Sequence, residues 1–390
     1  IDCVAGRYVD VTASNEATDC IECVAGKYAA SSSSSGCFDC ESGKFAITGS
    51  STCIDCQAGL KPKDDQSDCE QCTAGHHSAS AGSATCTPCV AGEYALAGAT
   101  SCTSCPAGTA RVASPGVSVA DCVECTAGWF SSSAKSTTCS VCGSGQFAIA
   151  GSSVCINCQA GLTPTGSKGD CQQCSAGQYS PAAGTQNCSQ CAAGHYALAG
   201  AIACTACQAG SANPDAGAGN VSACLPCVKG KYSPSSRAAS CSPCSAGQYS
   251  SAGGSTACFN ADAGYNTTDD QTGQVKCPAG TISADSGSAT CSLCDPGQFS
   301  AAGSSSCSPC PAGTSAAVAG GECLACAAGW HSAAEGAAQC VECAAGHYAL
   351  AGATACTACQ AGSANPDAGA VNVSACVECG VGQYSQGSRA

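Results

Sequence analysis

Cysteines recur along this 390-residue chain at intervals so regular that they divide it into short repeating units. A representative unit begins at Cys89 and reads CVAGEYALAGATSCTSC. It opens with a cysteine, has a glycine three residues later and an aromatic residue two positions after that, and ends in Cys-x-x-Cys. The pattern opens 23 times, and the glycine is present each time. Such short-period repetition predicts an array of small structural units in place of globular domains.

The units are themselves grouped into longer blocks. The first cysteines of successive Cys-x-x-Cys motifs advance by 17, 16, 16, 17, 16 and 20 residues, and the same six steps then repeat, which gives a super-repeat of 102 residues. A second duplication has an offset of 152 residues: the stretch that begins at Cys191 recurs almost unchanged from Cys343. We therefore divide the chain into four segments of tandem repeats: 1–121, 122–223, 224–375 and the start of a further, truncated repeat, 376–390.

Composition explains why covalent bonds must hold such units together. Cysteine accounts for 43 of the 390 residues, and much of the remaining apolar content is alanine. Large apolar side chains are too few to bury a conventional core over this length. A cysteine density this high is typical of a disulfide scaffold in an oxidising compartment. We therefore expect a secreted, extracellular or cell-surface protein.

One defective repeat indicates how the cysteines pair. Ala261 stands where an opening cysteine belongs, and Gln274 stands where the next closing cysteine belongs. If each opening cysteine pairs with the next closing one, this unit has lost one whole bridge and has left no unpaired thiol. In another arrangement, the first cysteine of one Cys-x-x-Cys motif pairs with the first cysteine of the next motif, and the second with the second. That arrangement leaves Cys244 and Cys291 without partners. A crossed pattern of longer period remains an alternative.

The sequential rule predicts 21 bridges that each close a loop of about 14–18 residues, worth about 3 kcal/mol per bridge in the chain-entropy treatment. It leaves Cys379 for a partner beyond Ala390. Representative predicted bridges are Cys3–Cys20, Cys23–Cys37, Cys40–Cys53, Cys56–Cys69, Cys244–Cys258, Cys277–Cys291 and Cys359–Cys376.

Within a unit, the sequence predicts a short β-hairpin. The residues after the glycine favour strands, and a Gly/Ala/Ser turn follows before the chain returns to the closing cysteine. We expect the repeated glycine to take a positive φ or to let a neighbouring unit approach. We expect the aromatic residue to pack on a bridge or on the next unit and to be the main apolar contact. The predicted fold is an elongated, all-β or irregular rod of disulfide-closed hairpins with almost no helix.

Two stretches resemble a known repeat type: CSAGQYSSAGGSTAC from Cys244 and CDPGQFSAAGSSSCSPCPAGT from Cys294. They are similar to the ephrin-receptor-like cysteine-rich repeat, and the resemblance extends over the whole chain. This repeat occurs in ephrin receptors, in secreted CUB/EGF proteins and in many protist and algal surface proteins. The unbroken tandem array is most similar to protist surface filaments, flagellar hairs and coat antigens. The resemblance implies an extracellular role without specifying it.

Charge and hydropathy argue against several kinds of partner. A net charge of −14 with only 13 Lys and Arg residues does not suit nucleic acid or an anionic membrane surface. The sequence has no apolar run long enough to span a membrane.

Four N-glycosylation sequons begin at Asn187, Asn220, Asn266 and Asn372, and the 152-residue duplication makes Asn220 and Asn372 equivalent.

The sequence contains no recognisable catalytic arrangement, and we predict no cofactor, no metal and no enzymatic activity. Structural zinc is the serious alternative, because successive Cys-x-x-Cys pairs resemble a zinc ribbon. However, the unit that lacks two cysteines is otherwise intact, which a four-cysteine zinc site would not tolerate. The acidic pairs Asp64-Asp65 and Asp269-Asp270 are interpreted as solvated turns in preference to calcium ligands.

The sequence therefore predicts a non-enzymatic extracellular structural protein that forms or decorates a cell-surface or flagellar filament, with self-association or other filament subunits as partners. The alternative is a cell-surface antigen or receptor-type ectodomain that binds a protein or glycan. Exposed aromatic residues that make repeated contacts at the super-repeat spacing would favour the filament. A single anomalous patch, centred on the degenerate unit 261–277, would favour the receptor.

Overall fold

A computed structural model describes residues 2–10 and 16–385 of the chain. It consists of two compact bodies, Ile1–Ser189 with Leu198–Ala203, and Gln190–Ala197 with Cys204–Ala390. Both bodies are built from the same two-stranded antiparallel hairpins. The described residues contain no α-helix, and none of their helical turns is long and apolar enough to cross a bilayer. The predicted all-β, disulfide-rich repeat class is confirmed.

Each hairpin pairs the residues after a repeated glycine with the residues after the next closing cysteine. The hairpins of the first body are Arg7–Val9 with Cys20–Glu22, Lys27–Tyr28 with Phe38–Asp39, Lys44–Phe45 with Ile54–Asp55, Leu60–Pro62 with Cys69–Gln71, His76–His77 with Thr87–Pro88, Glu93–Tyr94 with Thr103–Ser104, Thr109–Ala110 with Val123–Glu124, Trp129–Phe130 with Ser140–Val141, Gln146–Phe147 with Ile156–Asn157, and Leu162–Pro164 with Cys171–Gln173. The strands Gln178–Tyr179 and Ser189–Gln190 follow them in the chain.

The second body continues the same series. Its hairpins are His195–Tyr196 with Thr205–Ala206, Ser211–Ala212 with Leu225–Pro226, Lys231–Tyr232 with Ser242–Pro243, Gln248–Tyr249 with Phe259–Asn260, Tyr265–Thr267 with Gln274–Lys276, Thr281–Ile282 with Ser292–Leu293, Gln298–Phe299 with Ser308–Pro309, Thr314–Ser315 with Leu324–Ala325, Trp330–His331 with Val341–Glu342, His347–Tyr348 with Thr357–Ala358, and Ser363–Ala364 with Val377–Glu378.

The longest bridged loops contain a single 3₁₀ turn immediately before the closing cysteine. These loops are the ones whose two cysteines are 17 residues apart. Their turns are Ala17–Asp19, Val119–Asp121, Val221–Ala223 and Val373–Ala375. The extra residues of the 20-residue sequence steps are therefore accommodated without disturbing the bridge.

The four-segment division of the chain stays a prediction. Residues 1, 11–15 and 386–390, which belong to the first and last predicted segments, lie outside the described residues.

Candidate functional site

The disulfide ladder is the chemical feature that all units share. The structure joins each opening cysteine to the next closing cysteine, in 21 bridges that run from Cys3–Cys20 to Cys359–Cys376. The two Cα atoms of a bridge are 5.5–5.8 Å apart, within the usual range for a disulfide. The opening cysteines of these bridges are buried, whereas the closing ones are mostly half-buried. This is the sequential pairing, and it leaves Cys379 as the one free cysteine of the described residues.

Backbone hydrogen bonds connect each unit to the next. In the unit that opens at Cys23, the amide of Gly26 donates to the carbonyl of Ala46 at 2.8 Å, and the carbonyl of Gly26 accepts from the amide of Cys40 at 3.1 Å. The carbonyl of Cys23 accepts from the amide of the turn residue Gly49 at 2.8 Å. The same three bonds recur along both bodies. Within each body, consecutive units are therefore joined by backbone hydrogen bonds as well as by their position in the chain.

The repeated glycine contacts a unit still further along the chain. Gly6 has a φ of 92°, and a Cβ on it would overlap the carbonyl oxygen of Gly49, which lies in the turn two units later. All 23 repeated glycines have a positive φ. Both predicted reasons for the glycine therefore hold, but the close approach is to the second neighbour rather than to the adjacent unit.

The interior of most units is filled by cystine and by one small residue, not by the aromatic side chain; three long units have Arg111, Asn213 or Asn365 at the same buried position. Six positions after the opening cysteine lies a buried residue, such as Ala29, Ala46 or Ser180, each with 0% exposure. The aromatic residue that precedes it is half-buried, as at Tyr28 and Phe45. This differs from the expectation that the aromatic residue is the main apolar contact. The reason is the close stacking of units, which leaves room inside only for small side chains.

The side chain at the aromatic position faces the bridge of the next unit. His77 Nδ1 lies 3.2 Å from the Sγ of Cys102, and His331 Nδ1 lies 3.0 Å from the Sγ of Cys356. The hydroxyl of Ser315, at the same position in its unit, lies 3.2 Å from the Sγ of Cys340. The predicted packing on the next bridge is therefore present at these positions.

Residues 280–322 match the family described as tyrosine-protein kinase ephrin type A/B receptor-like. The bridges Cys294–Cys307 and Cys277–Cys291 reach into this stretch. Because bridged units of the same kind continue through the described residues on either side, the chain fits an ephrin-receptor-like cysteine-rich repeat array. No curated protein matches the chain at a significant level. The match and the ladder indicate an extracellular, non-catalytic module.

Two histidines form clusters with the sulfurs of such bridges, His77 with Cys89 and Cys102, and His331 with Cys343 and Cys356. The ligand atoms of each cluster lie within 4.8 Å of one another. The sulfurs are joined to each other, however, and only a thiolate sulfur ligates zinc strongly. Within the described residues every cysteine except Cys379 is bridged, so the zinc-ribbon alternative lacks its ligands.

The four sequons lie in different surroundings. Asn220 and Asn372 are exposed, and each caps a 3₁₀ turn by accepting the amide of the serine two residues on, at 3.0 Å. Asn187 is also exposed and immediately precedes Cys188. Asn266 is half-buried in the strand Tyr265–Thr267. The structure therefore does not bring the four sequons together. Asn220 and Asn372, the duplicated pair, have the same exposure class and the same capping hydrogen bond.

Acidic side chains at the turns bond to the turn itself. The hydroxyl and the backbone amide of Ser67 both donate to the carboxylate of Asp65 and lower its pKa. At Asp270, the hydroxyl of Thr268, followed by the amide and hydroxyl of Thr272, lowers the pKa of the carboxyl group. These contacts fit the prediction that the acidic pairs lie in solvated turns.

Proposed function

We propose that this chain is a non-enzymatic structural protein of the cell exterior, a disulfide-laddered rod that forms or decorates a surface or flagellar filament of the protist or algal type. The observation that carries the proposal is the combination of a bridge in nearly every unit with backbone bonds from each unit to the next. A repeat that contacts its first and second neighbours suits a load-bearing role better than a site for one ligand.

The mechanical argument follows from where the bridges lie. A pulling force transmitted along the chain passes across each bridge, because the two cysteines of a unit lie at its ends. The two cysteines are 13–17 positions apart in the sequence, and the residues between them are bypassed and cannot be drawn out while the bridge is intact. A nick within a bridged loop also leaves both sides attached. Such an array resists stretching and proteolysis without a large core.

An apolar face on the hairpins supports self-association as the mode of assembly. The residue after each closing cysteine lies across the hairpin from the aromatic position, as Phe38 does from Tyr28, with ring centroids 6.2 Å apart. This residue is often apolar and well exposed: Phe38 is 62% exposed, Ile54 55% and Phe259 61%. The opposite face is polar, with an ion pair between Lys27 and Asp39 at 2.7 Å. Because this position recurs in every unit and is apolar in many of them, a second copy offers matching contacts.

Exposed aromatic residues are distributed in a way that also supports the filament. Phe38 and Phe259 occupy the same position in their units, and Trp129 and Trp330, which are 43% and 38% exposed, occupy another shared position. These pairs do not recur at the 102-residue super-repeat spacing, but they are spread over separate units, whereas a receptor would concentrate its aromatic residues in one place.

Glycans at Asn220 and Asn372 fit this role, since both side chains are exposed next to the bridged ladder. Asn187 is exposed as well. Asn266 is the least accessible of the four sequons, because it lies in a paired strand opposite Val275. We propose that the duplicated pair carries N-linked glycans that shield the surface. Peptide mapping of the secreted protein after glycosidase treatment, with Asn220→Gln and Asn372→Gln as controls, tests this assignment.

A receptor-type or antigenic ectodomain is the second candidate, and one groove favours it. The groove has a volume of about 740 Å³ and is lined by Arg111, Val112, Val123 and Trp129 among others. An exposed tryptophan beside apolar and charged side chains suits stacking on a sugar or peptide. We place this candidate second because the groove belongs to one pair of units, whereas the hairpin face extends along the chain.

Electron microscopy and sedimentation of the purified chain test the proposal. We expect concentration-dependent fibres, and we expect Phe38→Ser combined with Phe259→Ser to weaken assembly at least tenfold. Thr103→Ser, which alters the equivalent position in a unit that is already polar there, is the matched control. Particles that stay single at all concentrations, together with binding of a glycan or peptide that Trp129→Ala abolishes, would favour the ectodomain instead.

A further inference from the structure

The degenerate unit keeps the backbone hydrogen bonds that join a normal unit to its neighbours, although it has no bridge. The amide of Ala261 donates to the carbonyl of Gly247 at 2.9 Å, and the carbonyl of Ala261 accepts from the amide of Gly287 at 2.8 Å. These are the bonds that opening cysteines make elsewhere in the array. Ala261 is fully buried, with 0% exposure, in the place of a buried cysteine. The unit is therefore stacked like its neighbours but is not covalently closed.

A pair of side-chain hydrogen bonds takes the place of the bridge. Gln274, at the position of the closing cysteine, donates from Nε2 to the Oδ2 of Asp262 at 2.7 Å. Its Oε1 accepts from the backbone amide of Asp262 at 2.7 Å. Asp262 is the neighbour of Ala261, so the two hydrogen bonds link the same two ends that a disulfide would link. Hydrogen bonds of this kind break reversibly, whereas a disulfide does not open under the same load.

We propose that the unit between Ala261 and Gln274 is the extensible element of this chain. Under tension it opens and releases the segment between its two ends, while the bridged units stay closed. Between Cys3 and Cys376, in the part of the chain that the structure describes, it is the one unit without a disulfide. The chain then lengthens by one defined step and recovers when the Gln274–Asp262 pair re-forms. No covalent bond is cut, and no oxidant or reductant is needed.

The size of the step follows from the sequence separation. Gln274 lies 13 residues after Ala261, the same separation as Cys56–Cys69 and Cys158–Cys171, which belong to units with the same three-residue hairpins. Thirteen residues span at most about 45 Å when extended. Across the two equivalent bridges the Cα atoms are 5.8 Å apart. Opening therefore adds roughly 40 Å of contour length.

Single-molecule stretching of the full 390-residue chain, held by handles at its two ends, tests the proposal. We expect one reversible step of roughly 40 Å per chain. The matched variant carries Ala261→Cys and Gln274→Cys, which recreate the spacing of the equivalent bridges. After mass spectrometry has shown that the new bridge has formed, we expect the step to disappear. Absence of the step in the natural chain, or its persistence in the bridged variant, overturns the proposal.

Two further variants keep the test decisive if the new bridge fails to form. Gln274→Ala removes both hydrogen bonds to Asp262, so the step should occur at lower force with its length unchanged. Cys158→Ala with Cys171→Ala opens an equivalent unit and should add a second step of the same length. A chain whose step length changes with Gln274→Ala, or which gains no step when the second bridge is removed, contradicts the assignment. The filament hypothesis is independent of all these outcomes.

Discussion

The carbonyl oxygen of Gly82 occupies the space into which a Cβ on Gly43 would project. Gly43 has a φ of 90°, and Gly82 lies in the turn of the unit two places later. The same relationship joins Gly6 to Gly49 and Gly145 to Gly184. Replacing one Cα hydrogen of this glycine by a methyl group therefore disturbs a contact between units that are not adjacent in sequence. The repeated glycine is needed for the stacking of units as well as for the turn.

We accordingly expect Gly43→Ala to destabilise the array locally. The positive φ alone costs about 1–3 kcal/mol for a residue with a side chain, and the overlap with Gly82 adds to it. The affected bonds include the one from the amide of Gly82 to the carbonyl of Cys56, at 2.8 Å. Hydrogen exchange should therefore become at least tenfold faster at the Gly82 amide. Gly36→Ala is the control, because a Cβ on Gly36 has no atom within 4 Å. Equal effects of the two substitutions would refute the stacking role.

The covalent pattern of the fold could be predicted from the sequence because bridges join positions that the sequence itself marks. The paired loss at Ala261 and Gln274 pointed to sequential pairing, and the repeated glycine pointed to a positive φ or a close contact. The pattern within one unit also predicted the hairpins. The bridges, the hairpins and the positive φ each depend on residues close together in the sequence, for which spacing along the chain limits the geometry.

The stacking of units could not be predicted in the same way. The turn that lies over Gly6 is determined by the rotation of each unit relative to the preceding unit. Spacing along the chain does not determine that rotation. The buried position of Ala29 did have a signal in the sequence, because most units have an alanine or a serine there. The Asp262–Gln274 pair was also missed, because a glutamine in place of a cysteine gives no indication of its partner.

The ladder makes a direct prediction about thiols. The chain denatured without reductant should react as a single thiol, that of Cys379, since the remaining described cysteines are bridged. Full reduction should expose all 43. Because the sulfurs near His77 and His331 are not thiolates, a chelator should leave the melting temperature unchanged. Several reactive thiols before reduction, or a zinc-dependent melting temperature, would restore the metal-site alternative.

Cleavage offers a test that separates the degenerate unit from its bridged equivalents. A protease recognition sequence placed in the loop between Thr268 and Gly273 should let the chain fall into two fragments after one cut, without reductant. The same sequence placed between Lys63 and Asp68, inside the Cys56–Cys69 loop, should give a nicked chain that separates only after reduction. Both loops close a three-residue hairpin, and each has a backbone bond between its ends, at 3.0 and 2.9 Å respectively. Identical behaviour of the two chains on a non-reducing gel would contradict the pairing.

The 3₁₀ turns provide an internal comparison for the effect of pH. The amides of Ser118 and Val117 donate to the carboxylate of Asp121 at 2.9 and 2.7 Å, and these two bonds lower the pKa of Asp121. A group whose pKa is lowered by folding stabilises the folded state above its ordinary pKa, near 4 for an aspartate, and this stabilisation is lost as the pH falls through the depressed folded value. At the equivalent turn, the neutral side chain of Asn220 accepts the amide of Ser222 instead, at 3.0 Å.

We therefore expect the amide proton resonances of Ser118 and Val117 to shift as the pH falls below 4, with an apparent pKa below the ordinary aspartate value. The resonance of Ser222 should stay in place over the same range, because an asparagine amide does not titrate there. Asp121→Asn should abolish the shift at Ser118 while keeping the turn, because the side-chain oxygen of an asparagine can still accept the amides of Ser118 and Val117 but does not titrate. A Ser118 titration that survives this substitution, or a parallel titration at Ser222, would show that another group governs the turn.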